Sequence, residues 1–185
     1  MSKIVVSVIG LDCPGVVYTV ASTLSALECN IEEVSQTILE NQFAGIIVVS
    51  RPEDLDNERI RSILFGTIED KDMHLSVTIR DFEEGCRYKN VPTEPFVVTV
   101  DGEDRLEILA SITRIFAEHR VNIANLKAVK PSPGQALIVV EVDLPLTIDR
   151  SAFRKTLQDR ASSLGLRLSM QHRDIFEAMH RVLSV

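Results

Sequence analysis

The chain has 185 residues, 45% of them hydrophobic and 25% charged, a balance that excludes a disordered or collagen-like chain and fits one medium domain or two small ones. Its formal net charge of −7 disfavours direct binding to nucleic acid, because neutralising phosphates supplies most of that affinity. No apolar run approaches the roughly 20 residues that span a bilayer, and the opening "MSKIVVSVIG" reads as a strand rather than a signal peptide, so the expected location is the cytoplasm, with no membrane contact.

In chain order, "KIVVSVI" is rich in β-branched residues and predicts a strand. "GLDCPGVVYTV" (Gly10–Val20) then sets a proline and a glycine side by side at a strand-to-helix junction. Val16, Val17, Val20, Ala21, Leu24 and Leu27 follow at helical spacing and give one apolar face. "EEVSQTILE" and "FAGIIVVS" predict two strands joined by a hairpin turn at Asn41-Gln42. "RPEDLD" supplies capping residues for a second helix carrying Ile60, Ile63 and Leu64, and "MHLSVTI" predicts a closing strand. The polar stretch "DFEEGCRYKNVPTEP" (Asp81–Pro95) has two prolines and reads as a linker, with the longest basic clustering of the chain at Arg87–Lys89.

The second half runs through strand "FVVTVD", a helix with Ile108, Leu109, Ile112, Ile115 and Phe116, and strand "IANLKAVK". A turn at Pro131–Gly134, strand "QALIVVEV", a helix with Phe153, Leu157, Ala161 and Leu164, and strand "LRLSM" complete it. The tail "HRDIFEAMHRVL" predicts a further helix with Ile175, Phe176, Met179, Val182 and Leu183 on one side, suited to docking or dimerisation.

The two halves repeat each other. Gly10–Ile31 aligns with Gly102–Ile123 over 22 positions without a gap, at an offset of 92 that pairs Gly10 with Gly102, Asp12 with Asp104 and Asn30 with Asn122. At the same offset "AGIIVVS" (Ala44–Ser50) meets "ALIVVEV" (Ala136–Val142), and "LSVTI" (Leu75–Ile79) meets "RLSMQ" (Arg167–Gln171). The order β-α-β-β-α-β, twice, predicts an α+β fold of two ferredoxin-like modules, each an antiparallel sheet with its helices on one face. The expected organisation is a first module over 1–80, a linker over 81–95, a second module over 96–171 and a C-terminal helix over 172–185. Incomplete alternation in "IVVSVI" and "IIVV" leaves surplus apolar residues on the other sheet face, for the sister copy or a second chain.

The chemistry-bearing residues are sparse. Cys13, Cys29 and Cys86 are odd in number, match no zinc spacing and read as reduced thiols. His74, His119, His172 and His180 are scattered, so neither a metal nor a cofactor is expected. The chain has no Gly-x-Ser-x-Gly, His-Glu-x-x-His or P-loop pattern, and an enzyme is not expected. In the first loop, Asp12 reads as an N-cap whose carboxylate accepts from Gly15. Gly15 has no Cβ, so a ligand could approach the first-turn N–H groups, which suit a carboxylate. The bland alternative is that Asp12 only caps, Pro14 only starts a helix and Gly15 only avoids a clash. In the second loop, Asp104 to Glu107 has the form of a capping box that would hold Glu107 over the helix start. Asn30 and Asn122 read as left-handed residues ending their helices, and Cys13 as part of the loop lining.

Gly10-x-Asp12-x-Pro14-Gly15, an apolar helix and then Asn30-Ile31 opening a strand resemble the ACT domain, a family of small βαββαβ modules that bind amino acids and regulate enzymes or transcription. Two such copies with little else resemble the tandem group that includes glycine cleavage system transcriptional repressors. The resemblance implies an amino-acid site in which the loop Gly10, Leu11, Asp12, Cys13, Pro14, Gly15 and Val16 meets the ligand's α-carboxylate. Asn30 and Ile31 would form part of the opposite wall, within the copy or across an interface. The expected sensor is a homodimer whose output passes through a protein partner, since the sequence shows no helix-turn-helix and has the wrong charge for DNA. The second copy has Leu106 and Glu107 where the pattern expects Pro-Gly, which implies that it has plugged its own loop. The alternative reading, from another class, is a ligand-free module for protein interaction.

Overall fold

The computed structural model describes residues 2–83 and 91–181. Cys86, the Arg87–Lys89 cluster and the rest of residues 84–90 within the expected linker, together with Val182 and Leu183 of the tail, lie outside the described residues. The chain divides into two compact units, Met1–Glu84 and Gly85–Val185.

The first unit runs β1 (Ser2–Leu11), α1 (Val16–Ala26), β2 (Asn30–Leu39), β3 (Gln42–Arg51), α2 (Asn57–Asp70) and β4 (Leu75–Asp81). The second runs β5 (Thr93–Glu103), α3 (Ile108–Glu118), β6 (Asn122–Val129), β7 (Gln135–Pro145), α4 (Arg150–Ser163) and β8 (Arg167–His172), followed by α5 (Arg173–Arg181). Each sheet is antiparallel and four-stranded, in the orders β2-β3-β1-β4 and β6-β7-β5-β8. The α+β, twice-βαββαβ expectation is therefore borne out, with the tail helix added. Asp81 already belongs to β4, and Thr93, Glu94 and Pro95 belong to β5, so both ends of the stretch read as linker are strand.

Each core lies between one face of a sheet and its two helices. Ile4, Val6 and Val8 of β1 alternate inward against Val16, Val20 and Leu24 of α1 and Ile60, Leu64 and Ile68 of α2. The second core repeats the plan with Val98 and Val100, Ile112 and Phe116, and Phe153, Leu157 and Ala161. Ile60 and Ile68 correspond to Phe153 and Ala161, one exchange enlarging the side chain and the other shrinking it. Core volume is thereby roughly conserved, the kind of change cores tolerate best. The helical faces expected from spacing are rotated in one respect: α1 also buries Thr19 and Thr23, whereas Val17 is exposed, as is Leu109 of α3. Thr23 Oγ1 donates to the Thr19 carbonyl at 2.8 Å, which satisfies the buried hydroxyl.

All four module helices end alike. Glu28, Asp72, Arg120 and Gly165 are left-handed, with φ of 57°, 54°, 54° and 71°. The Cys29 N–H bonds the Leu24 carbonyl and the Glu28 N–H that of Ser25, the paired pattern of a Schellman motif, repeated at Met73, Val121 and Leu166. This corrects the reading of Asn30 and Asn122. The left-handed residue stands two positions earlier, and both asparagines already lie in strands.

The β2–β3 hairpin turns at Glu40-Asn41, one residue before the expected Asn41-Gln42, with Glu40 at φ 50° and Leu39 facing Gln42. The turn at Pro131–Gly134 forms as expected, Gly134 taking φ 77°. A second correction concerns the repeat. The offset of 92 holds through the first helix and to matching bulges at Ile31/Glu33 and Ile123/Asn125. Beyond them, Gly10 faces Phe43 but Gly102 faces Ala136, so β3 and β7 correspond at 93. Ile9 faces Ser76 whereas its counterpart Asp101 faces Arg167, so β4 and β8 correspond at 91. Turns of different length move the register, and a one-residue slip reverses which face each side chain occupies.

Candidate functional site

The loop between β1 and α1 is fixed from both sides. The Leu11 N–H donates to the His74 carbonyl at 3.0 Å and the Asp12 N–H to the Asn41 carbonyl at 2.9 Å. Gly10 serves this approach: a Cβ there would stand 2.1 Å from the His74 carbonyl oxygen, so only glycine lets β4 come so close.

Gly15 occupies the N-cap of α1 in a left-handed conformation, φ 97°, and no side chain caps that helix. The expected Asp12 cap does not form, because a left-handed Gly15 carries the chain into the helix by another route and leaves Asp12 outside the first turn. A Cβ on Gly15 would have room, its nearest neighbour being Met73 Cε at 3.7 Å, so backbone conformation rather than crowding requires the glycine.

An open cleft of about 420 Å³ adjoins this helix start, lined by Asp12, Cys13, Pro14, Gly15, Val16, Val17, Tyr18, Gln36 and Phe43. A smaller apolar cavity of about 40 Å³ shares Val16, Val17 and Phe43 with it and reaches Ile31 and Val34 under β2. Lys71 stands beside Tyr18, its Nζ donating to Thr19 Oγ1 at 3.0 Å and lying 5.3 Å from the Tyr18 ring centre. The structure therefore gathers Asp12 to Val16 at one cleft, leaves Gly10 and Leu11 in β1 outside its lining, and brings Ile31 to the adjoining cavity. Asn30 is not gathered with them. It pairs with Ser50, which pairs with Lys3 at the other end of the sheet, roughly 23 Å from Gly10 at ~3.3 Å per residue. Gln36 and Phe43 line the cleft without any signal in the sequence pattern, since β2 and β3 reach it only through sheet pairing.

The corresponding place in the second unit is built differently. Glu107 is the N-cap of α3 in the right-handed region, φ −94°, and no side chain caps it. The capping box does not form. Asp104 is drawn away to Lys130, 2.6 Å distant, and Glu107 faces Arg160 of α4 at 3.6 Å. Leu106, in the place of Pro14, is fully exposed.

At the far end of the first sheet, Glu32 pairs with Lys3 at 2.6 Å and accepts from Ser50 Oγ. The hydrogen bond from Lys3, then that from Ser50, holds its carboxyl below the ordinary range. Burial raises the Cys29 thiol pKa, partly offset by the charge of Arg51. Among the described residues no group of three His, Cys, Asp or Glu is placed to hold a metal, and no helix is long and apolar enough to cross a membrane.

The ACT domain family matches residues 2–78 and again residues 94–171. The chain belongs to the ACT domain family. Its two copies of the module coincide with the two units of the structure. A UPF0237 protein of Methanosarcina acetivorans is 32% identical over 87 residues, 47% of this chain and 95% of that protein. A UPF0237 protein of Methanopyrus kandleri is 37% identical over 87 residues, 46% of this chain and 96% of its own. Both relatives have about the length of one module. Among solved structures, an unknown protein of Galdieria sulphuraria superposes with a TM-score of 0.74 at 22% identity, covering 92% of this chain and 98% of its own. A candidate glycine cleavage system transcriptional repressor superposes at 0.67 and 18% identity, covering 92% of this chain and 96% of its own. At these identities the likeness is one of fold, and it extends across both ACT modules.

Proposed function

We propose that this tandem ACT protein is a non-catalytic regulator whose first module binds a free amino acid in the cleft at the start of α1. The observation that carries the reading is the uncapped first turn of α1, opened by left-handed Gly15 onto a cleft that also presents the Asp12 carboxylate. First-turn N–H groups suit an α-carboxylate, a carboxylate suits an α-ammonium, and Val17, Tyr18 and Phe43 offer an apolar wall for a side chain. Membership in the ACT family supports a regulatory role. The repressor-like neighbour supports an output in amino-acid metabolism or transcription, passed through a protein partner because the chain is acidic. A cytoplasmic homodimer is the working form of this reading. The second module, with Glu107 in place of Gly15, does not bind the ligand.

The test is thermal unfolding against the twenty amino acids at millimolar concentration. A ligand at about a hundred times its Kd stabilises by roughly 2.7 kcal/mol, which raises Tm by roughly 5 to 11 °C for a chain of this size. The shift should appear with one or two amino acids, survive Gly15→Ala and vanish in Gly15→Glu. A flat panel favours the other reading, a ligand-free interaction module, for which the exposed Ile9, Ile46 and Ile38 of the first sheet speak.

A further inference from the structure

The apolar cavity beside the cleft has a cause in the sequence. Val16, Val20 and Ala21 on α1, Val34 on β2 and Gly45 on β3 line it, all of them small for a module interior. Val16, Val20 and Gly45 are buried, so the space they leave belongs to the core rather than to the surface. The second unit carries larger side chains at the matching places. Ile108, Ile112 and Leu126 stand for Val16, Val20 and Val34, each one methylene larger, and Thr113 stands for Ala21. Ile47 against Val140 runs the other way by one methylene. Phe43 and Gly45 against Ala136 and Ile138 exchange bulk between neighbours, and the Phe43 ring lies 2.9 Å from where a Gly45 Cβ would stand. Interiors are packed close to crystal density, and a void forfeits the contacts that its walls would make. The first module keeps one, and keeps it next to the cleft: Val16, Val17 and Phe43 line both.

We propose that this cavity receives the side-chain end of the ligand, and that the ligand is a branched aliphatic amino acid: valine, leucine or isoleucine. The inference rests on the reading of the cleft as an amino-acid site and adds the class of side chain. Size and chemistry select that class. The volume of about 40 Å³ exceeds the share of one water, roughly 30 Å³, and falls far short of the roughly 150 Å³ that admits a benzene ring. Methyl groups fit and an aromatic ring does not. The walls are Val, Ala, Ile, Phe and Gly, so a charged or amide side chain would lose its water without gaining a side-chain partner. Val16 and Val20 lie about one turn apart, which carries the cavity roughly 6 Å along α1 from its first turn, at ~1.5 Å per residue. A ligand whose α-carboxylate meets the first-turn N–H groups can thus place its methyl ends among Val20, Ala21 and Gly45. There they supply the carbon that Ile108, Ile112 and Leu126 supply in the second unit.

Isothermal titration calorimetry of the full chain with each of the twenty amino acids provides the test. Valine, leucine or isoleucine should bind most tightly, at least tenfold above alanine, which is too short to enter the cavity, and above phenylalanine, aspartate and lysine. Val20→Ile installs the second unit's residue, and Ala21→Leu fills the cavity from a half-buried helix position. Each should cut the preference for leucine over alanine about tenfold, with the fold intact by circular dichroism. Tightest binding by any other amino acid overturns the proposal and leaves the amino-acid site standing. So does a leucine preference indifferent to both variants. If none of the twenty binds, the site itself falls and the proposal with it.

Discussion

The first module starts its leading helix on a left-handed glycine beside an open cleft, and the second starts the matching helix on a right-handed glutamate whose charge faces Arg160. The cores beneath are close copies, down to Leu64 and Leu157 at the same place in α2 and α4, both fully buried. Duplication has thus preserved what packs and released what faces solvent. Packing constrains a buried side chain from all sides, while a loop residue answers only to its own backbone and nearest neighbours.

The largest effects should show the cores to be equivalent. Leu64→Ala and Leu157→Ala should each cost about 2–5 kcal/mol in urea unfolding, because each leaves a cavity in a closed interior. A cost under 1 kcal/mol in one module would break the equivalence. The two strand glycines should then separate the modules. Gly10→Ala drives a Cβ against the His74 backbone carbonyl, whereas Gly102→Ala meets the end of a side chain, Leu166 Cδ2 at 2.7 Å, rather than backbone. The expected losses are about 3 kcal/mol for Gly10→Ala and about 1 kcal/mol for Gly102→Ala, read from unfolding midpoints.

At the helix starts themselves the effects are smaller. Gly15→Ala should cost about 1 kcal/mol through its left-handed backbone, while Glu107→Ala should change stability by no more than a few tenths, since its partner is exposed and distant. Equal losses would mean that the two helix starts are not different in kind. The smallest effect belongs to Glu32. Its carboxyl is held below the ordinary range in the folded chain, so its contribution is present above the unfolded pKa and lost as pH falls through the folded one. The Tm difference between wild type and Glu32→Gln should therefore shrink as pH drops below the usual carboxylate value near 4.5. A difference that stays constant with pH would remove Glu32 from the account.

Element types were legible because periodicity reports burial directly: four strand patterns and two helical faces appear in each half, and the offset of 92 exposes the duplication. The site was legible only in part. Asp12 to Val16 are contiguous in sequence and meet at the cleft, but Gln36 and Phe43 join them through pairing between strands, which no local pattern records. Caps misled for a related reason. Asp12 and the Asp104–Glu107 pair have the composition of N-caps, yet the backbone turns into α1 at a left-handed Gly15, and Lys130 and Arg160 draw the second pair's charges elsewhere.

By itself, the sequence determined the number and order of elements, the two cores and the place of the loop, because hydrophobic spacing and turn chemistry act within a few residues. Only the tertiary structure decided the register of β3, β7, β4 and β8, the residue that turns each helix end, and which side chains face the cleft. Those depend on turn length and on partners brought together from distant parts of the chain. A one-residue difference in either is silent in composition but moves every side chain of a strand to the opposite face.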